Sequence, residues 1–488
     1  MSKKEDLATI VGGANVLDTV ELLEAYSKDE SFARQTKPQC IARPQSTEEV
    51  HEIVKWANRT ATPLIPVSSG PPHFRGDTIP SLGGVVVDLS RMKRIIRINR
   101  RNRVAMVEPG VTFTELQSEL KKEGLRLPMP LCPRRSKSVI GSCLEREPII
   151  IPKYQWDISD PLLCTEVVFG SGDLFRTGEA AGPGSLEDQW ASGQAQTNPM
   201  GPFQVDFFRL IQGAQGTMGI ITWATVKCEL LPQLQKPFLV ASQRLEDLLD
   251  FTYRLLWARL GDELLILNNL NLATILAEDP DEIKALRDTL PQWVLIVCVA
   301  GYERLPQERV EYQEKDVMDT AQRFGVEPVT AIQGVQVQGR AVLEAVSTVS
   351  AEPYWKLRYK GGCHDIFFLT TLGKTPEFVT VMYLMAEATG YPVTDIGIYL
   401  QPQIQGRACH CEFNFSCDPG NPKEVEKVRR LFFDASRELI GMGGFFSRPY
   451  GPWAEMAYSR DGQSAMALRK VKGIFDPNNV MNPGKLCF

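Results

Sequence analysis

Apolar positions recur in two rhythms along this chain. Continuous apolar runs at Pro63-Leu-Ile-Pro-Val67, Gly84-Val-Val-Val-Asp-Leu89 and Ala105-Met-Val-Glu-Pro-Gly110 predict buried strands. Between them, 45–58 places Val50, Ile53, Val54 and Ala57 at helical spacing, behind Ser46 or Thr47 and two acids that form a capping signal. The same rhythm predicts a helix over 111–123, from Val111 through Leu116 and Leu120. Residues 17–29 read as a short helix with Asp18 as its N-cap, and 465–474 as a final helix stopped by Asp476-Pro477. Leu163–Gly170 and Asp173–Thr177 read as a hairpin around Gly170-Ser-Gly172. The stretch 182–202, rich in Gly, Pro, Ser, Gln and Asn, reads as a long loop.

Pro232-Gln-Leu-Gln-Lys-Pro237 breaks the pattern and reads as a domain boundary. Beyond it, strands are expected at 238–242, 294–300, 366–370, 394–400 and 409–416, and helices at 244–260, 280–290, 306–325, 375–389 and 421–440. A sheet with covering helices makes an α+β cap. The division expected is 1–235, 236–440 and a C-terminal segment 441–488.

The strands of the first part are followed by loops poor in side chains. Such loops let backbone N–H groups approach an anion closely. Those at 68–76, 138–142 and 213–219 are placed to surround a pyrophosphate together, and the competing reading is ordinary turns of an α/β protein.

Composition narrows the picture. The chain has 488 residues with 43% hydrophobic and 23% charged, which are globular values for two or more domains. A net charge of -5 gives no reason to expect nucleic acid or an anionic membrane as partner. No apolar run reaches the length of a membrane span, and the first residues lack a signal-peptide core. The eleven cysteines are irregularly spaced, several within strand-like runs, so a reduced cytoplasmic setting is expected rather than a disulfide framework. The cluster Cys409-His410-Cys411 with Cys417 lacks metal-ligand spacing, and no metal is expected there.

Val107-Glu-Pro-Gly-Val-Thr112, Thr165-Glu-Val-Val168, Gly213-Ala-Gln-Gly-Thr-Met-Gly-Ile-Ile-Thr222 and Phe475-Asp-Pro-Asn-Asn-Val-Met-Asn-Pro-Gly-Lys485, with Thr47-Glu-Glu-Val50, occur in this order. At these residues the chain resembles the vanillyl-alcohol oxidase / p-cresol methylhydroxylase superfamily, nearest in pattern to its phenol-oxidising branch. The resemblance implies a two-subdomain FAD-binding domain of the p-cresol methylhydroxylase type beneath an α+β cap with an antiparallel sheet. It implies FAD as cofactor, a small hydroxylated substrate (a 4-alkylphenol or aromatic alcohol, or a 2-hydroxy acid), and hydride transfer to the flavin. An external acceptor, a redox protein or a quinone, and a homo-oligomer of two or more copies are part of the same expectation. The alternative is an FAD-binding electron-transfer subunit without substrate specificity of its own.

Residue by residue, the resemblance assigns cofactor contacts to Pro66, Ser68, Ser69, Gly70, His73, Gly76, Pro109, Ser138, Ile140, Gly141, Ser142, Gly216, Thr217, Gly219, Ile220, Asn482 and Lys485. Pro71-Pro72 departs from the family loop by removing two N–H donors. Asp157 falls about where family members carry an acid near flavin N5. Arg448, beside Tyr450, falls where they carry a substrate-binding Arg, but Ser447 occupies the position of the neighbouring Tyr. Arg75, or Phe74, stands in place of a second Tyr. Two arginines at the flavin suit a carboxylate, because each guanidinium presents a planar fork of donors. His410 and His73 are the candidates for a covalent link to the flavin.

Overall fold

The computed structural model describes residues 3–202, 205–335 and 337–488. Three sheets carry the architecture. In the first, the strands run in the order Val16–Leu17, Cys40–Ala42, Val85–Asp88, Leu64–Val67, the last three parallel. Parallel neighbours need a crossover, and Thr47–Thr60 supplies it. Ser46 caps that helix by accepting from the Glu49 N–H, and Val50, Ile53, Val54, Trp56 and Ala57 are buried, as the spacing requires.

The second sheet is antiparallel, ordered Ile95–Asn99, Val104–Val107, Gly219–Lys227, Leu162–Phe169, Leu174–Arg176. The expected hairpin is its last pair. Against it packs the helix Phe113–Lys122, opened by a capping box in which Thr112 and Glu115 satisfy each other's backbone.

The third sheet has seven antiparallel strands, ordered Pro328–Val329, Leu234–Ser242, Trp293–Gly301, Leu264–Asn268, Ile396–Gln403, Ala408–Cys417, Gly362–Thr370. All five strands expected in this region belong to it. Alternate side chains serve its two faces. Phe238, Val240, Leu264 and Ile266 pack with the helices Glu246–Trp257, Pro306–Phe324, Thr375–Thr389 and Pro422–Gly441. Leu239, Leu265 and Leu267 pack with Asn269–Leu276 and Gly339–Val346, and with Leu131, Cys132, Ile150 and Ile151 of the first half. The cap is thereby seated on the loops that follow residue 128.

Several expectations need correction. The helix expected over 17–29 is confined to Val20–Ala25, and Asp18, instead of capping it, pairs with Lys4 at 2.7 Å. The stretch 182–202 contains a helix, Leu186–Ala191, closed by a capping box between Ser185 and Asp188. The strand Leu264–Asn268 was not anticipated: buried on both faces, it lacks the alternation that marks a half-buried strand.

The chain end returns to the first sheet. Leu64 N–H donates to Val480 O at 2.7 Å, and Asn482 N–H donates to Leu64 O at 2.9 Å. Lys472, on the helix Gly462–Phe475, sends its buried ammonium to Thr217 O at 2.7 Å, Met481 O at 3.1 Å and the Asp476 carboxylate at 2.5 Å. Asp476 also accepts from the Val480 and Met481 N–H groups. Removing one partner of a buried pair leaves an uncompensated charge. Asp476→Ala is expected to lower the unfolding free energy by about 3 kcal/mol, read as a drop in denaturation midpoint.

Candidate active site

Two clefts meet between the sheets, of about 1000 and 780 Å3, sharing Pro66, Ser68, Asp77 and Glu145 in their walls. The second is lined by backbone-rich segments, including Pro109, Ile140, Gly141, Gly216, Gly219 and Ile220. Its loops approach too closely for side chains. A Cβ on Gly141 would lie 2.9 Å from Ser68 Oγ, and one on Gly216, whose φ is +70°, would lie 2.5 Å from Pro66 Cγ. Hydrogen bonds lock the loops together. Ser138 N–H donates to Ser69 Oγ at 3.1 Å, Ser138 Oγ donates to Pro109 O at 2.6 Å, and Gly70 N–H donates to Ser136 O at 3.0 Å.

Other expected contacts brace the cleft without lining it. Asn482 donates to Asp77 O at 2.9 Å and Gln215 O at 2.8 Å, and Lys485 donates to Gly76 O at 2.7 Å. Thr217 Oγ1 donates to Ala214 O at 2.7 Å, and Ser142 Oγ donates to Glu147 Oε2 at 2.5 Å. Among the described residues, the buried polar atoms without a hydrogen-bond partner include Asn482 Oδ1 and His73 Nε2. Side-chain-free loops with unspent polar atoms fit a dinucleotide with a diphosphate bridge.

The first cleft is lined by Ser69, His73, Phe74, Arg75, Lys356, Asp365, Glu412 and Arg448 among others. Lys356 is buried and reaches Asp365 at 2.7 Å and Glu412 at 2.5 Å. Burial alone would lower its pKa, but the two carboxylates reverse this and raise it. Arg75 touches Asp365 at 3.4 Å. Both guanidinium carbons lie over the Phe367 ring, at 4.2 Å for Arg75 and 4.1 Å for Arg448.

Arg448 differs from Arg75 in that, among the described residues, no carboxylate forms an ion pair with it, although Glu147 and Glu412 act on it through space. Its Nη2 lies 3.3 Å from His410 Nδ1. Burial lowers its pKa, with Arg75 adding to the effect against Tyr450. His410 Nε2 lies 3.0 Å from Glu412 Oε2. Glu412 is held well below the usual carboxylate range, because Lys356 and His410 outweigh burial. An ionised acceptor assigns the proton to Nε2 and leaves the Nδ1 lone pair for Arg448. Burial pushes the His410 pKa down to about 4, so it is neutral at ordinary pH.

The structure thus brings Arg75, Arg448, Tyr450 and His410 together, but not Asp157. That carboxylate is nearly half exposed, pairs with Arg209 at 2.9 Å and caps Ser159 in a turn outside both clefts. His410 does not line the cleft, and both of its ring nitrogens are engaged, which sets it apart from His73. Sequence reasoning missed Lys137, Glu145, Glu147, Tyr354, Lys356, Asp365, Tyr399 and Glu412 as lining residues. Alternation along Ala408–Cys417 carried one usable signal: Glu412 shares the face of His410 and Asn414, opposite the core-facing Cys409 and Cys411.

Residues 38–178 match the model of the FAD binding domain, and 406–486 match that of the FAD linked oxidases, C-terminal domain. Glycolate oxidase subunit GlcD of Bacillus subtilis is 25% identical over 99% of this chain and 96% of its own. D-2-hydroxyglutarate dehydrogenase of Stutzerimonas stutzeri is 25% identical, covering 99% and 98%. The fold is that of p-cresol methylhydroxylase with substrate bound: TM-score 0.84 at 20% identity, covering 99% of this chain and 96% of that one.

Two outcomes are expected for the cofactor. Gly216→Ala, which places a methyl against Pro66 and strains a positive φ, lowers the FAD content of purified protein, measured by absorbance at the flavin band. Burial, with Glu145 and Asp29 nearby, pushes the Asp77 carboxyl up to about 6 against Lys137 and Lys485. A raised acid is neutral below that pH and ionised above it. An anionic dinucleotide is therefore expected to bind more tightly as pH falls through about 6, and Asp77→Asn to flatten this dependence in a flavin titration.

Proposed function

We propose that this chain is an FAD-linked oxidoreductase of the vanillyl-alcohol oxidase / p-cresol methylhydroxylase type, and that it oxidises a 2-hydroxy acid whose carboxylate is held by Arg448. The observation that carries this reading is a buried guanidinium, in the cleft wall, whose polar contact is a neutral histidine nitrogen. Glu147 and Glu412 act on that arginine through space, but among the described residues no carboxylate pairs with it directly, and a substrate carboxylate supplies such a partner in bidentate form. The names of two relatives, glycolate oxidase and D-2-hydroxyglutarate dehydrogenase, support the substrate class. Ser447 in place of a phenolate-binding Tyr argues against a phenol.

FAD, when bound, supplies the acceptor for the hydride that leaves the substrate carbon. Pro66, Ser68, Ile140, Gly141, Gly216 and Ile220 would hold it, with His73 Nε2, in the wall of the adjoining cleft, free to meet its polar edge. Arg448 binds and orients the substrate. His410 is a positioning residue: anchored by Glu412, it fixes the guanidinium plane. Arg75 shares the site but spends part of its charge on Asp365. Lys356 keeps Glu412 ionised and pairs with Asp365. The cap, packed over Leu131 and Ile150, limits water at the cleft. The same reading passes electrons on to a redox protein or a quinone.

Arg448→Ala is expected to reduce the rate of anaerobic flavin bleaching by 2-hydroxy acids by about 100-fold or more, the consequence of losing a buried charge-assisted pair, while FAD content is retained. Bleaching by 4-alkylphenols alone would overturn the carboxylate reading. On acid precipitation, His410→Ala is expected to leave the flavin in the same fraction as the unsubstituted protein, since its ring does not reach the cleft. His73 is the one of the two histidines from which a covalent link would be made.

A further inference from the structure

Beyond Arg75 the cleft continues into a smaller chamber, sharing Phe74, Arg75 and Asp365 with it. The chamber's walls are aromatic. Phe432 and Trp453 stack with centroids 5.3 Å apart, and Phe32 meets Phe432 edge-on at 5.3 Å. Phe32 also stacks on His364 at 4.0 Å with a 14° interplanar angle. Burial pushes the His364 pKa down to about 4, against Asp365 and Asp29, so this ring is a neutral wall at ordinary pH.

Phe32 does not arrive by chance. The segment that carries it is strapped to the loop after the strand Leu64–Val67. Gly76 N–H donates to Asp29 Oδ2 at 2.6 Å, and Glu30 N–H donates to His73 O at 2.8 Å. A Cβ on Gly76 would lie 2.8 Å from the Ala33 methyl. The chamber therefore has a charged mouth at Arg75 and Asp365, and an apolar interior closed by an N-terminal strap.

We propose that this chamber is a specificity subsite for an apolar, aryl-sized group on the substrate. It rests on the reading above, in which Arg448 holds a carboxylate. A molecule with an anionic head at Arg448 then runs past Arg75 and buries its ring among Phe32, Phe432 and Trp453. The chemical class is a 2-hydroxy acid bearing an aromatic or bulky apolar side chain. A two- or three-carbon acid leaves the chamber unfilled and forgoes the burial of that ring.

The test uses the full-length protein loaded with FAD. Anaerobic bleaching rates are compared for 2-hydroxy-3-phenylpropanoate, lactate and glycolate. In parallel, Kd values for 3-phenylpropanoate and propanoate are measured from perturbation of the flavin spectrum. The aryl member of each set is expected to be favoured by about tenfold or more. Phe32→Ala, verified to retain FAD and its thermal midpoint, is expected to erase most of that preference in both readouts; the unsubstituted protein's ligand series stands without it. Lactate bleaching as fast as the phenyl compound, with propanoate binding as tightly as 3-phenylpropanoate, overturns the subsite while leaving the carboxylate reading intact. Bleaching by 4-alkylphenols but by no 2-hydroxy acid overturns both.

Discussion

The structure depends on glycine backbone meeting the short side chains of neighbouring segments where no further side chain has room. Gly141 faces Ser68 and Ser69, and Gly216 faces Pro66, at separations that a single methyl would violate. Those contacts join three chain segments of different sheets around one cleft. Polar side chains then finish the join: Ser138 ties the second loop to both Ser69 and Pro109, and Asn482 ties the chain end to residues 77 and 215. A cleft built in this way presents main-chain groups rather than side chains to its occupant. That suits a diphosphate, whose charge is spread over several oxygens.

Much of this was legible in the sequence because it follows from local rules. Ser46 and Thr112 announce their helices by capping chemistry, and the parallel strands announce themselves by continuous apolar runs. Of the three segments read as loops, that at 138–142 is instead the start of a helix, Val139–Leu144, capped by Ser138, and residues of all three line or brace the clefts. What was not legible depends on the third dimension. Lys356 and Asp365 lie on different elements, and neither has a local pattern to betray it; each becomes a site residue when the cap sheet brings Gly362–Thr370 beside Ala408–Cys417. Asp157 shows the converse. The resemblance suggested a role, and the structure places its carboxylate against Arg209 and the turn serine Ser159, outside the lining of both clefts.

Charge pairing in the cleft explains why the two arginines are unequal. Asp365 is shared by Lys356 at 2.7 Å and Arg75 at 3.4 Å, so Arg75 is the looser partner of an already neutralised carboxylate. Glu412 is drawn to Lys356 and His410, and so it is withheld from Arg448 by the same histidine that contacts the guanidinium. Arg448 is thereby left with no carboxylate in direct contact among the described residues, while Glu147 and Glu412 act on it through space. A buried guanidinium of that kind is better satisfied when an anion arrives.

Under the proposed function, this asymmetry favours a carboxylate over a phenolate as the anion at Arg448. A phenolate concentrates its charge on one oxygen and is best served by converging hydroxyl donors, which Ser447 and the Phe74-Arg75 pair do not supply. A carboxylate has two oxygens in one plane and matches the planar fork of a single arginine. His410 fixes that plane through Nδ1 while Phe367 supports it from beneath, at 4.1 Å from the guanidinium carbon. The guanidinium is thus oriented before any substrate enters, and pre-orientation reduces the entropy lost on binding. Its second flank opens toward Arg75 and the aromatic chamber, so the protein sets the identity of the head group with charge and leaves the rest of the molecule to shape.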